Sequence, residues 1–232
     1  MKEAQKLKLK RSIFLIPILY VLSIWIIYWI EIQFSFNFNK YGVYPRTLKG
    51  FRGVFFTHFI HSNTGHIFNN SIPLFVLLSG LFYFYKEVAY KVLFLGGFLT
   101  GFLTWVIARE SYHIGASGIV YLLFSFVFFS GIIRKHFRLV ALSLIVIFLY
   151  GSMIWYVLPI KEGMSWEGHL SGFLIGLFFA GIYRKRGTVK EEHQFKVTEF
   201  DLLFDANGNF SPPKIEEAEK IDSSVEKESN NK

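Results

Sequence analysis

Six stretches of this 232-residue chain contain no Asp, Glu, Lys or Arg: 12–30, 67–85, 92–108, 111–133, 139–160 and 168–183. No other feature limits the fold as strongly. Backbone N–H and C=O groups in hydrocarbon must bond to one another, which leaves helices and closed barrels as the spanning structures. A barrel requires alternation of apolar and polar residues, and these runs are continuously apolar. About 20 residues of helix cross a bilayer. The runs of 17 residues at 92–108 and 16 at 168–183 reach that length with flanking residues or in a thinner region. The expected fold is an all-α membrane protein, a six-transmembrane-helix bundle. At 52% hydrophobic and 19% aromatic residues, the chain is too apolar for a soluble domain of its size.

Charge sets the orientation. Six spans leave both termini on one side, together with Lys2, Lys6, Lys8, Lys10, Arg11, Lys86, Lys91, Arg134, Lys135, Arg138, Arg184, Lys185, Arg186 and Lys190. The opposite side holds only Lys40, Arg46, Lys49, Arg52, Arg109 and Lys161. The basic excess marks the cytoplasmic face, so both termini are expected there. The first run is too long for a signal-peptide core and no small-x-small cleavage site follows it, so it reads as a retained helix. Three regions result: a basic cytoplasmic N-terminus at 1–11, a six-helix membrane core at 12–186 with an external loop at 31–65, and a polar cytoplasmic tail at 187–232.

The external loop is rich in Phe and Tyr and is expected in the membrane interface. Roughly the last 20 residues of the tail read as disordered. Upstream, Phe195, Val197, Phe200, Leu202, Leu203 and Phe204 retain enough apolar surface to dock. The +8 net charge is no nucleic-acid signal, because the basic residues sit at the ends of apolar runs, where a bilayer is the partner. The chain has no Cys, which excludes disulfides and thiolate metal ligands. The basic N-terminus and the lack of organelle signals point to a bacterial plasma membrane.

On this topology three polar segments fall at one depth, a few residues below the outer surface. They are His61 to Asn70 at the second span, His113 to Tyr121 at the fourth, and Gly168 to Gly172 at the sixth. Polar groups inside spans are costly and face the bundle interior. A serine becomes a nucleophile when a base takes its proton, and a neutral imidazole suits that role near neutral pH. Ser117 and His169 supply such a pair. His66 and Asn70 are four apart, share a helix face, and both carry N–H donors for a developing oxyanion. Backbone amides around Ser117 add to them. Tyr121, four residues after Ser117, lies where its ring can stack on His169. Gly115 and Gly118 allow close approach around the serine. Gly168, Gly172, Gly176 and Ala180 form a small-residue stripe that lets the sixth helix pack tightly. Taken singly, each signal also fits plain helix packing or an interfacial polar cap.

Metal chemistry is the rival reading. His58, His61, His66 and His113 all fall on the outer side, and imidazole suits zinc. The sequence has no HExxH and no carboxylate within the spans, so no metal is expected. Glu167 lies two positions from His169, on another helix face, and a carboxylate triad is not expected.

These residues together resemble the rhomboid intramembrane serine proteases. The likeness rests on Gly115-Ala116-Ser117-Gly118 with Tyr121, on Gly168-His169-Leu170-Ser171-Gly172 with Gly176, and on the His-x4-His-x3-Asn spacing of His61, His66 and Asn70. It implies a Ser117–His169 dyad cleaving transmembrane protein substrates without a cofactor. It further implies that His66 and Asn70 line the oxyanion hole with the amides of Ala116 and Ser117, that Tyr121 supports His169, and that His61 is a structural hydrogen-bonding residue. The first loop would lie partly in the outer leaflet and the fifth helix would resemble a substrate gate. Two positions depart from the pattern: Phe51-Arg52 stands for a first-loop Trp-Arg, which leaves that loop's anchoring open, and Gly168 stands where Ala commonly precedes the histidine. His58 and Asn69 acquire no role. The alternative is a catalytically inactive relative that binds or traffics membrane proteins, against which the presence of both Ser117 and His169 argues.

Overall fold

The computed structural model describes residues 12–149, 155–187, 198 and 200–211, and their regular elements are helical. In chain order these are α1 (Ser12–Gln33), α2 (Leu48–Phe51), α3 (Gly53–Phe56), α4 (Thr64–Phe84), α5 (Gly96–Ile107), α6 (Ser117–Ile133), α7 (Phe137–Leu149) and α8 (Trp166–Ile182). Two of them are long and apolar enough to cross a membrane, Ile13–Gln33 and Thr64–Phe84. Lys91–Ile107, Ser117–Ile133, Phe137–Phe148 and Trp166–Ile182 are apolar but shorter. Each charge-free run therefore contains an apolar helix. The expectations for 1–11, for the disordered end of the tail, and for Phe195 and Val197 fall outside the described residues.

One helix boundary differs from the sequence reading for a physical reason. The run 111–133 does not become helical until Ser117. His113 instead pairs with Val43 in an antiparallel bridge, its N–H donating at 2.8 Å and its carbonyl accepting at 3.0 Å. Thr57 Oγ1 donates to the same carbonyl at 2.6 Å, and Gly115 N–H donates to Thr57 O at 2.9 Å. These bonds satisfy the backbone without a helix. In the run 139–160, the described residues form α7 up to Leu149 and a 3-10 turn at Trp155–Val157.

The core lies on α6, which is buried along most of its length and is crossed by α8 and flanked by α4. Between apolar helices in a membrane, close contact and hydrogen bonds replace the hydrophobic drive of water. Gly172 meets the Gly118 carbonyl so closely that a Cβ there would collide with it. One turn on, Gly176 meets the Leu122 carbonyl in the same way. Ser125 Oγ donates to Phe173 O at 2.7 Å across the same crossing. Leu74, Leu77, Leu78 and Leu81 of α4 share one buried cluster with Leu122, Leu123 and Phe126 of α6. Trp25 Nε1 of α1 donates to Ser71 Oγ of α4 at 2.9 Å.

The long segment between α1 and α4 is anchored on α5. A Cβ at Gly101 would strike the Val54 backbone. Trp105 Nε1 donates to Thr47 O at 3.0 Å, and Arg46 donates to Ala108 O at 2.7 Å. Phe51 meets Trp105 edge-on at 5.5 Å. Arg52 donates to Lys40 O at 3.0 Å and lies over the Tyr41 ring at 4.4 Å. The Phe51-Arg52 pair thus ties the loop both to itself and to α5.

Residues 191–232 form a separate unit. Its described part is a 3-10 turn at Asp201–Leu203 followed by a loop closed by a Phe204–Phe210 bridge. Asp205 Oδ1 accepts the Asn207 and Asn209 amides at 2.9 Å each.

Candidate active site

Ser117 is the first residue of α6. Gly115, two residues before it, has φ +117°, a conformation L-side chains rarely adopt. This turn redirects the chain from the bridged segment into the helix. A Cβ on Gly115 would lie 2.6 Å from His66 Nε2 and 3.8 Å from Asn70 Nδ2. The absent side chain is therefore what admits α4's polar face to the serine loop.

Ser117 Oγ and His169 Nε2 are 2.9 Å apart. His169 Nδ1 lies 2.7 Å from the carbonyl oxygen of Tyr156. A carbonyl only accepts, so Nδ1 carries the proton and Nε2 is left to accept from the Ser117 hydroxyl. The Tyr121 ring stacks on the imidazole, with centroids 4.3 Å apart and planes 16° apart. Orientation of the histidine thus comes from a ring on one face and a backbone oxygen at one edge. His169 is buried, while Ser117 is partly accessible.

Asn63 Oδ1 caps α4 by accepting the His66 N–H at 2.8 Å. His66 Nδ1 is 3.3 Å from Ser62 Oγ, which leaves Nε2 presented over Gly115. Asn70 is buried, and its Nδ2 has no hydrogen-bond partner. Such an orphaned donor is costly unless a ligand group uses it. His61 is pinned differently. Its Nε2 accepts the Ala116 N–H at 3.4 Å, and its Nδ1 faces Phe59 O at 3.3 Å. The bond from Ala116 requires the neutral ring, and burial together with the neighbouring His66 pushes its pKa down to about 3. The two rings meet edge-on at 5.0 Å.

His58 donates from Nε2 to Gly97 O at 3.0 Å, tying the first loop to the start of α5. Burial pushes its pKa down to about 4. Asn69 is exposed. Among the described residues no group of three or more His, Cys, Asp or Glu is gathered to hold a metal ion.

Of the residues singled out from sequence, Ser117, His169, Tyr121, Gly115, His66, Asn70, Ala116 and His61 meet around one point, with Gly118 and Gly172 beneath it at the α6–α8 crossing. Sequence reasoning missed the Tyr156 carbonyl, which no side-chain pattern signals. It also missed a half-buried cluster at the start of α8. There Glu167 is only 2% exposed and accepts from Arg109, and His113 contacts Ser165. The signal available for that cluster was the pairing of two isolated opposite charges, Arg109 and Glu167, at the outer ends of two apolar runs.

The arrangement is a helical, membrane-type bundle with a serine–imidazole pair beside two side-chain donors. The chain belongs to the rhomboid family: the Rhomboid domain matches residues 49–186. It is 34% identical over 154 residues to proteins of Mycobacterium bovis and Mycobacterium tuberculosis, covering 60% of this chain and 62% of each relative. A Mycobacterium leprae protein is 30% identical over 158 residues, with 60% of each chain covered. All three are described only as uncharacterized. The chain thus spans 62% of the length of the first curated relatives it matches.

Proposed function

We propose that this protein is an intramembrane serine endopeptidase that cleaves membrane-anchored proteins near the outer face of the bilayer. The observation that carries the reading is the 2.9 Å Ser117–His169 contact, with the imidazole held in the accepting tautomer by the Tyr156 carbonyl. In this reading all six apolar helices span, both termini are cytoplasmic, and the membrane is a bacterial plasma membrane. The substrates are transmembrane proteins and no cofactor takes part.

Ser117 Oγ attacks the carbonyl carbon of the scissile peptide while its proton passes to His169 Nε2. The resulting oxyanion lies toward Asn70 Nδ2 and His66 Nε2, and at the positive end of α6. The Ala116 amide joins them by leaving His61, since a 3.4 Å bond to a neutral nitrogen is weaker than one to an anion. The C–N bond then breaks and His169 returns the proton to the leaving amine. A water adds to the acyl ester, giving its proton to His169. The ester C–O bond breaks, and the proton goes back to Ser117 as the carboxylic acid product leaves.

The test is cleavage of a transmembrane model substrate in liposomes by the wild type and by Ser117→Ala. Cleavage confined to the wild type is the expected result, and cleavage that survives Ser117→Ala sinks the assignment. A fluorophosphonate probe is expected to label the wild type and not His169→Ala.

A further inference from the structure

We infer that Arg109, His113, Ser165 and Glu167 form a strut, buried at His113 and Glu167, that positions His169 against Ser117. The inference rests on the serine-peptidase reading and extends it to residues that touch neither reacting atom. Ser117 and His169 come from different helices, and their contact is bracketed on two sides. Beneath it, Gly172 abuts the Gly118 carbonyl. Towards the ends of α6 and α8 the strut takes over. Arg109 Nη1 donates to Glu167 Oε1 and Oε2 at 3.1 and 3.3 Å, its backbone N–H donates to Oε1 at 3.3 Å, and Nη2 donates to Met164 O at 2.7 Å.

His113 closes the second half. Its Nε2 is 3.0 Å from the Arg109 carbonyl, so that nitrogen carries the proton. Its Nδ1 then accepts from Ser165 Oγ at 2.6 Å. Glu167 Oε2 is 4.0 Å from the same nitrogen. The His113 backbone is meanwhile bonded to Val43 and Thr57. One residue therefore links the first loop, the segment leading to Ser117, and the start of α8. Ser117 lies four residues after His113, and His169 four after Ser165 and two after Glu167. Spacings this short leave little slack between strut and dyad. Glu167 and His113 are 2% and 3% exposed whereas Arg109 is 45% exposed, so the acceptor half of the network is inside the protein and only the guanidinium reaches the surface. A surface pair between loops would have no such purchase on the dyad.

The variants are Glu167→Gln, Ser165→Ala and Ser165→Thr, in the full-length protein in liposomes or micelles. Four quantities are measured: kcat and KM on the transmembrane substrate, the rate of fluorophosphonate labelling, the thermal midpoint, and the imidazole 15N signals of His169 in 15N-histidine-labelled protein. A displacement of about 1 Å at a reacting centre costs on the order of 100-fold. Glu167→Gln and Ser165→Ala are expected to lower kcat and labelling by about 10- to 100-fold with KM little changed, and to shift the His169 signals toward a free imidazole. Ser165→Thr, which keeps the hydroxyl, is expected to stay close to wild type. The inference is overturned by wild-type kcat with unmoved His169 signals. It is equally overturned by activity losses that follow the thermal midpoint alone while His169 in the folded fraction is unchanged. Should the wild type neither cleave nor label, the peptidase reading fails. The His169 signals then still decide the strut, displacement by Glu167→Gln supporting it and no displacement overturning it.

Discussion

His61 and His58 are both neutral donors or acceptors in fixed bonds, and neither tolerates a proton. Protonating His61 would turn the Nε2 that accepts from Ala116 into a second donor. Burial holds His58 at about 4 and His61 at about 3, below the usual 6.5. The unfolded chain therefore binds protons first as pH falls, and stability rises with pH across that interval. The contribution is complete above about pH 6.5 and is lost progressively toward pH 4 and 3, roughly 3 kcal/mol for His58 alone. Thermal midpoints measured from pH 7 to pH 4 are expected to fall, and to fall less in His58→Gln, which retains a donor for Gly97 O. An acid limb identical in the two proteins would refute this account. Gly115 makes a sharper case. Gly115→Ala puts a methyl 2.6 Å from His66 Nε2 at φ +117°. It is expected to cost about 1–3 kcal/mol of stability and to abolish probe labelling. Both effects were foreshadowed by the spacing of Gly115, Ser117, His66 and Asn70. The Tyr156 carbonyl was not, because a backbone oxygen has no sequence signature and any residue at that position presents one.

Helices α6 and α8 carry the pairing, and their crossing is set by small residues. The stripe of Gly168, Gly172, Gly176 and Ala180 identifies the face in advance, since residues four apart align on a helix. Gly172 and Gly176 occupy the crossing, whereas Gly168 instead faces Ser165 Oγ and Thr104. Gly172→Val must push α8 away from the Gly118 carbonyl, because backbone cannot yield as a side chain does. Overpacking of this kind costs roughly 1–3 kcal/mol, and it separates Ser117 from His169. The expected outcome is a lower thermal midpoint with a larger proportional loss of fluorophosphonate labelling. Equal labelling per folded molecule would show that the crossing does not set the dyad. Where α6 begins was not legible in the same way. No charge interrupts 111–116, and the distant partners Val43 and Thr57 take that backbone out of the helix.

At the scale of the whole molecule, helices among the described residues present apolar faces where a soluble protein would be polar. Phe14, Leu15, Ile18, Leu19, Leu22, Ile26 and Trp29 of α1 are exposed, as are Leu144, Ile145 and Phe148 of α7. Apolar faces of this extent mark a membrane or protein contact rather than a water-facing surface, and lipid fits a rhomboid-family chain. The six runs made that environment legible, because a helix apolar all round has no aqueous face. Orientation rests on the basic residues alone, and it carries a consequence for the site. The ends of α4, α6 and α8 that hold His66, Ser117 and His169 face outward only if Lys86, Arg134, Lys135 and Arg184 face the cytoplasm. The chain contains no Cys, so a single introduced thiol is unique. Glu110, in the segment between α5 and α6, is 76% exposed, and Lys135 is exposed between α6 and α7. In intact cells a membrane-impermeant maleimide is expected to modify Glu110→Cys rapidly. Lys135→Cys is expected to react only after the membrane is opened. The reverse pattern would turn the dyad toward the cytoplasm, and with it the class of membrane-protein segments that Ser117 is able to reach.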